Sequence, residues 1–230
     1  MTADQELIIK EFDEFLLDNP YPCVAARAAV KRRQISYMVA ENMACPKDDA
    51  GILNFLYFFI NNFRRSTNNF HSAVVLFKGP EIRFEDEFES LFWPRLQALI
   101  SLDHEFHDYD SRVNADPASP DFSFSLGEEA FFIIGLHPAS SRPSRNFKYP
   151  AIVFNPHVQF EDLRQAGRYE KMKSIVRKRD EKYSGSINPM LSDYGKSSEV
   201  YQYSGRQHGA EWQCPLKINH GEIKNHSSEK

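Results

Sequence analysis

Two histidines stand directly after apolar segments, at places where an imidazole ring could act as a ligand. His137 follows AFFIIGL at 130–136, and His157 follows AIVFNP at 151–156. A proline adjoins each histidine and restricts the local backbone. A neutral imidazole at a rigid apolar boundary suits the axial position of a haem, whose faces are otherwise apolar. The alternative is that each ring is a hydrogen-bonded structural residue.

The loop between these histidines carries Arg142 and Arg145 in the sequence SSRPSR. Arginines on a loop of this kind commonly bind a carboxylate or a phosphate through paired hydrogen bonds. Haem propionates would be such carboxylates, and the alternative is a solvated basic loop. Cys23, in YPCVAA, precedes a possible helix start, which would lower the pKa of its thiol. It is a candidate thiolate ligand or nucleophile, or a small buried residue.

The segment 185–206 is irregular, yet it carries aromatic and charged side chains among its Gly, Asn and Ser residues. Long irregular segments inside a domain are often lids or binding loops. Glu199 and Asp193 would then meet a cationic substrate. The alternative is an ordered segment that wraps the surface. His104 and His107, three residues apart among aspartates, indicate either a metal-binding face or a solvated helix end.

Hydrophobic periodicity indicates the elements that must position these residues. We predict helices at 3–18, within 21–33, and at 49–64, 84–103 and 158–181, and strands at 35–41, 71–79, 122–126, 130–136 and 151–155. The helix at 49–64 is apolar nearly all round, which predicts burial. Pro94 should start or kink the main part of the fourth helix. The third and fourth strands should form a hairpin whose turn is not an ideal two-residue type.

Helices and strands are unevenly mixed, and no glycine-rich nucleotide-binding motif occurs. A doubly wound fold is therefore disfavoured. We expect a single α+β domain over 1–217, with a mainly antiparallel sheet of about five strands flanked by helices. A disordered polar tail should follow at 218–230.

Composition excludes several classes of protein. The 230 residues carry a formal net charge of −4, which argues against nucleic-acid binding through bulk electrostatics. No apolar run reaches the roughly 18 residues of a transmembrane helix, and the acidic N-terminus does not resemble a signal peptide. Three cysteines without a CxxC motif indicate neither a disulfide framework nor a zinc site. We expect a cytoplasmic protein.

Several motifs together resemble the YqcI/YcgG family. They are YPCVAA at 21–26, LFWPRLQAL at 91–99, the segment 122–145 that ends in HPASSRPSR, VFNPHVQFEDLR at 153–164, and the SINPML, SEVYQYSGR and WQCP segments that follow. The pair HPxxSRxxR and FNPHxQFexLR is the most specific part. Within the family, the chain is most similar to the branch of haem-dependent N-hydroxylases that includes the GntA and DcsA enzymes.

This resemblance implies a haem b (iron protoporphyrin IX) protein that hydroxylates a nitrogen with O₂ and external electrons. It implies a small substrate with a guanidine or amine group, similar to arginine. The axial ligand is expected to be His157 first or His137 second, with Cys23 as a third candidate. Haem supplies oxygen activation, while the protein supplies the ligand, a dry pocket and substrate orientation.

The same resemblance suggests roles for further residues. A guanidinium needs a carboxylate partner, for which Glu199, Asp193 and Glu128 are candidates. Phe131, Phe132 and Phe154 would pack on the porphyrin face or, as strand residues, belong to the core. Electrons must come from a separate reductase, because the chain shows no flavin or nicotinamide motif, and a homodimer is possible. The alternatives are a non-catalytic haem-binding or haem-sensing protein, and a metal-free domain with structural histidines.

Overall fold

The computed structural model describes residues 1–68, 70–192, 195–209 and 211–218. The chain forms a five-stranded mixed sheet with helices on both faces, which confirms the predicted α+β class. Residues 219–230, nearly all of the predicted tail, lie outside the described residues. Within the described ranges, the helices are all too short or too polar to cross a membrane.

The strands are β1 at Ile35–Asn42, β2 at Ser72–Gly79, β3 at Phe124–Leu126, β4 at Glu129–Leu136 and β5 at Ala151–Pro156. Their order across the sheet is β1-β2-β5-β4-β3. The first two run parallel, and every other neighbouring pair is antiparallel. β5 and β4 therefore lie inside the sheet, with a hydrogen-bonded neighbour on each side.

The helices are α1 at Ala3–Leu17, α2 at Val24–Lys31, α3 at Asp49–Arg64, α4 at Glu85–Asp103, α5 at Val158–Gln165 and α6 at Tyr169–Ser184. α1 begins with a capping box, in which Thr2 and Gln5 each accept the backbone N–H of the other. α3 supplies the crossover that the parallel pair β1 and β2 requires.

One face of the sheet is covered mainly by α3 and α4. Their apolar side chains form a single buried cluster with strand residues such as Val75, Phe131 and Phe154. The rings of Phe131 and Phe154 pack edge to face with centroids 5.9 Å apart. Successive strand residues point to opposite faces, so every second residue of β4 and β5 belongs to this core.

The other face of the sheet is covered only in part. α1 packs Phe12 and Leu16 into a smaller cluster with Val74, Leu76 and Leu136. This cluster occupies the part of the sheet near the end of β4. The remaining apolar surface of β4 and β5 is the floor of the cavity described below.

Two expectations about helices are corrected by the structure. α4 continues without a break from Glu85 to Asp103, so Pro94 does not start its main part, and the alternative of a kink at Pro94 stays a prediction. α3 is not buried all round. It buries Leu56 and Phe59, but Phe58 is 69% exposed, so only one face of this helix enters the core.

The predicted helix at 158–181 is two helices, α5 and α6. Gly167 lies between them with φ of +65°, a left-handed conformation that glycine adopts at little cost and that ends a helix. The break separates α5, which buries Gln159 and Leu163, from α6, which buries no residue.

The hairpin turn also differs from the expectation. Leu126 pairs with Glu129, which leaves a two-residue turn formed by Gly127 and Glu128. Both have positive φ, +56° and +58°. Two consecutive residues of this kind form a type I′ turn, whose twist matches that of the hairpin.

The contact between β4 and α4 provides a test of core packing. A Cβ atom on Gly135 would lie 2.8 Å from Cε1 of Phe88 and 3.1 Å from Cε2 of Phe92. Because both rings are buried, we expect Gly135→Ala to lower the free energy of unfolding by about 1–3 kcal/mol. Gly209→Ala is the control, since no atom of the described residues lies within 4 Å of its added Cβ. Equal urea midpoints for the two variants would contradict this packing.

Candidate functional site

An apolar cavity lies against the face of the sheet that α1 covers only in part, and Phe12 and Leu16 of α1 line one end of it. Phe132, Ile134 and Val153 form its floor and are only partly buried, whereas Phe131 and Phe154 on the opposite face are sealed in the core. The cavity volume is about 330 Å³, within the range of small-molecule sites. We call it the α6 cavity, after the helix that lies over it.

α6 covers this cavity without packing onto the sheet. Tyr169, Met172, Val176 and Asp180 line the cavity, and their spacing of three or four residues places them on one helix face. Such a face is normally buried against a core, yet α6 has no buried residue. The helix is therefore held over a gap rather than over a packed layer.

The C-terminal half of α6 is fastened to the loop that follows β4. Asp180 accepts a hydrogen bond from Nη2 of Arg142 at 2.7 Å and from Oγ of Ser184 at 2.9 Å. Arg179 donates to the backbone carbonyl of Tyr21 at 2.8 Å. Arg142 thus binds a carboxylate, as its sequence context suggests, but this carboxylate belongs to the same chain.

Arg145 uses its guanidinium differently. It donates to the carbonyl oxygens of Gly135 at 2.9 Å and Gln202 at 3.0 Å, which ties β4 to the segment 199–202. No carboxylate among the described residues bonds to it. Burial lowers its pKa to about 10, so it stays charged at neutral pH and places a positive charge in the cavity wall.

His157 lies at the junction of β5 and α5 and lines the α6 cavity. Its backbone N–H donates to the carbonyl of Ala130 at 2.8 Å, and Nδ1 lies 4.0 Å from the Glu161 carboxylate. Burial lowers the pKa of the ring to about 4. The imidazole is therefore neutral at physiological pH, the state in which histidine binds a metal.

His137 does not line the α6 cavity. Because β4 and β5 are antiparallel, the ends that precede His137 and His157 lie at opposite ends of the pair, roughly 17 Å apart at about 3.4 Å per residue. The His137 ring stacks on Phe88 with centroids 4.2 Å apart. Neither ring nitrogen has a hydrogen-bond partner among the described residues. Burial lowers its pKa to about 4.

His71 lines the cavity and was not singled out by the sequence. It directly precedes β2, and the antiparallel pairing of β2 with β5 brings it to the end of β5. Gln159 fixes it there, accepting from its backbone N–H at 2.6 Å and donating to its carbonyl at 2.8 Å. Nε2 of His71 contacts Oγ of Ser66 at 3.0 Å. The placement of His71 depends on the direction in which β2 and β5 pair. The local sequence of one strand does not reveal that direction.

Cys23 lines the cavity as the N-cap of α2, where Sγ accepts the N–H of Ala26 at 3.4 Å. The expected lowering of its pKa is wrong. Burial raises the pKa of the thiol more than the helix amides lower it. Cys23 is therefore a protonated thiol at neutral pH.

Glu199 is buried in the cavity wall. Its Oε1 accepts two hydrogen bonds, from Oγ of Ser123 at 2.8 Å and from the Tyr203 hydroxyl at 2.5 Å. Burial raises the pKa of the carboxyl to about 8, although both hydroxyl groups act in the opposite direction. An unusually placed acid in an apolar cleft is a feature of functional sites.

The structure thus brings some of the predicted site residues together and separates others. Those that line the α6 cavity are Cys23, Phe132, Arg142, Arg145, His157 and Glu199. Phe154 lies on the opposite face of the sheet, and Glu128 lies at the exposed hairpin turn, beside an open polar depression. Asp193 lies outside the described residues. His104 and His107 belong to no group of three or more metal-binding side chains in the described ranges.

Comparison with known proteins places this chain in a family. Residues 12–217 match the family model described as the YqcI/YcgG family. The chain belongs to the YqcI/YcgG family. It is 28% identical over 190 residues to Uncharacterized protein YqcI of Bacillus subtilis (strain 168), covering 80% of this chain and 74% of YqcI. Uncharacterized protein YcgG of the same strain is 29% identical over 184 residues, covering 76% and 71%. No solved structure matches the chain significantly.

The region that matches the YqcI/YcgG model contains every residue that lines the α6 cavity. In this YqcI/YcgG protein the cavity combines an apolar floor, a neutral imidazole, a buried carboxylic acid and a wall that includes Arg145. These groups suit a flat apolar ligand with negative charges at its edge, together with a small polar group near Glu199.

The proton on Glu199 makes the stability of this YqcI/YcgG protein depend on pH. The unfolded chain loses this proton near pH 4.5 and the folded chain near pH 8, so folding becomes less favourable as the pH rises between these values. We expect Glu199→Gln, which keeps the acceptor but cannot ionise, to lack this loss. Relative to the wild type, the free energy of unfolding of Glu199→Gln should rise by on the order of 4 kcal/mol between pH 5 and pH 8.5.

Urea unfolding of the wild type and of Glu199→Gln at pH 5 and pH 8.5 measures this difference. The other titrating groups contribute equally to both proteins, so their effects cancel. Glu128→Gln is the matched control, because Glu128 is exposed at the hairpin turn and should show the same small effect at both pH values. Parallel pH profiles for Glu199→Gln and the wild type would show that Glu199 is not protonated in the fold.

Proposed function

We propose that this protein binds haem b in the α6 cavity and N-hydroxylates a small guanidine- or amine-bearing substrate with O₂ and electrons from a separate donor. The resemblance of its motifs to the haem-dependent N-hydroxylases suggests the reaction. The observation that carries the proposal is the uncovered apolar face of β4 and β5 beneath a helix that buries no residue.

Uncovered apolar surface inside a fold is unfavourable by about 25 cal/mol per Å². The floor residues Phe132, Ile134 and Val153 are on two interior strands, where a solvent-facing apolar surface is unexpected. A flat apolar ligand placed between this floor and α6 would bury both surfaces at once. Haem has this shape, and the helix face that carries Met172 and Val176 would cover its second side.

His157 is the residue that we propose to hold the iron. Its ring is neutral at physiological pH and lines the cavity, and the Glu161 carboxylate lies 4.0 Å from Nδ1. His137 is disfavoured because it lies outside the cavity, in contact with Phe88. Cys23 is disfavoured because its thiol keeps its proton.

The positive charge of Arg145 favours a ligand that carries negative charge at its edge. Its hydrogen bonds go to backbone carbonyls, so a propionate carboxylate could add a charge partner that the described residues do not supply. Arg142 is already paired with Asp180, and we assign it to fixing α6 over the cavity.

Haem, when bound, would supply the activation of O₂. The chain's own residues perform the other tasks. The apolar floor excludes water from the site, which strengthens electrostatic interactions within it. Glu199 provides the carboxylate that a guanidinium or ammonium group requires, and Ser123 and Tyr203 hold that carboxylate in one orientation. Positioning of this kind accounts for much of the contribution of a protein to cofactor chemistry.

The ligand assignment is tested by haem titration followed by absorption spectroscopy. We expect the wild type to bind one haem per chain with a Soret band, and His157→Ala to bind it more than about tenfold more weakly, with partial recovery of the spectrum in added imidazole. His71→Ala is the matched control, because it removes the other histidine that lines the cavity, and it should retain the wild-type spectrum.

If His71→Ala lost haem binding and His157→Ala retained it, His71 would be the iron ligand in the same cavity. A wild-type chain that shows no Soret band after haem addition would overturn the haem proposal as a whole.

Catalysis is tested separately with the haem-loaded protein. In the presence of O₂ and a chemical reductant, we expect L-arginine or a related guanidine to gain one oxygen atom on nitrogen, detected by mass spectrometry. L-citrulline, which is neutral at the corresponding position, should not react. Haem binding without product or substrate-dependent spectral change over a panel of guanidines and amines would instead indicate a haem-binding or haem-sensing protein.

A further inference from the structure

The two carboxyl oxygens of Glu199 have different surroundings. Oε1 accepts hydrogen bonds from the hydroxyl groups of Ser123 and Tyr203. Oε2 has no hydrogen-bond partner among the described residues, and it is not among the fully buried unsatisfied atoms. Since Glu199 lines the α6 cavity and is only 8% exposed, the remaining access to this carboxyl is from the cavity.

The arrangement places the exchangeable proton on the cavity side. A proton on Oε2 keeps both hydrogen bonds to Oε1, whereas a proton on Oε1 would turn one hydroxyl group toward its other acceptor, the carbonyl oxygen of Phe131. The position on Oε2 is therefore favoured, and a ligand in the cavity can reach it there. Tyr203 and Ser123 fix the plane of the carboxyl group, and Tyr203 is itself completely buried against Phe131 and Phe124.

The charged and titratable groups that interact with Glu199 come from two other parts of the chain and from its own segment. They are Tyr109, Arg164 and Tyr203. Burial raises the pKa of both tyrosines, while Arg164 carries a guanidinium. Within this group, Glu199 is the residue whose charge changes between pH 6 and pH 9.

We propose that a guanidinium or ammonium group entering the α6 cavity displaces the proton of Glu199, so that uptake of each cation releases one proton to solvent. This inference rests on the proposed function for the class of ligand. The exchange is balanced: the neutral carboxylic acid and the cation become a carboxylate–cation pair and a proton. The net charge buried in the cavity does not change, which avoids the cost of burying an isolated charge.

The exchange has a direct consequence for the pH dependence of binding. Below the pKa of Glu199, about 8, the cation must compete with a proton, so its affinity falls about tenfold for each unit of pH. Above this pKa the carboxylate is already formed, and affinity levels off. A cationic substrate is therefore bound more tightly in mildly alkaline than in mildly acidic solution.

Ser123 and Tyr203 act as positioning residues in this scheme. Their hydrogen bonds to Oε1 favour the ionised carboxylate and lower the pKa of Glu199. Ser123→Ala removes one of these donors and should raise that pKa. The midpoint of the affinity profile would then move to higher pH, a change that a purely structural role of Ser123 would not produce.

The test is calorimetric titration of the full-length, haem-containing protein with L-arginine, in buffers of different ionisation enthalpy. We expect release of about one proton per bound L-arginine near pH 6, falling below about one quarter near pH 8.5. Glu199→Gln should release almost none and should bind L-arginine more than tenfold more weakly near pH 8.5. L-Citrulline, as the neutral probe, should cause no proton release.

Infrared difference spectroscopy gives a second readout that does not depend on turnover. The wild type should show a protonated-carboxyl band that disappears when L-arginine is added and that Glu199→Gln lacks. Binding of L-arginine without proton release, equal affinity of Glu199→Gln, or no binding of L-arginine at any pH by haem-loaded protein would each overturn this inference. None of these results would affect the Soret band, so the haem proposal is judged separately.

Discussion

The requirement that both faces of an interior strand be covered governs this structure. β4 and β5 have neighbours on both sides, and their side chains alternate between two faces. α3 and α4 seal one face with a continuous aromatic and aliphatic cluster. On the other face α1 covers only one end, and α6 stands over the rest without burying a residue. The α6 cavity lies on this second face, where the helices leave part of the sheet without packed side chains.

Desolvation sets the charge of several groups in this cavity in the same direction, toward neutrality. It keeps the proton on Glu199, removes it from His157 and keeps it on the thiol of Cys23. The cavity is therefore lined by three groups that are uncharged at neutral pH: the imidazole of His157, the carboxyl group of Glu199 and the thiol of Cys23. Arg145 retains its charge, which gives the wall a positive potential beside an apolar floor.

Strand direction decides which residues can act together. An antiparallel pair places the end of one strand beside the start of its partner, so His137 and His157 are separated although their sequence contexts look alike. The same rule brings His71, at the start of β2, to the end of β5. It also explains why Phe132 faces the cavity while Phe154 faces the core, since strand register assigns them to opposite faces.

The strands, most helices, the α+β class and the family were predictable from local sequence, because hydrophobic periodicity and motif spacing are properties of short segments. The sequence also indicated His157, Arg145 and Glu199 as site residues, and the structure gathers them around one cavity. Local sequence could not show that His137 and Phe154 lie outside the α6 cavity, that His71 lines it, or that Cys23 keeps its proton. These outcomes depend on strand pairing and burial, which are set by residues far apart in the chain.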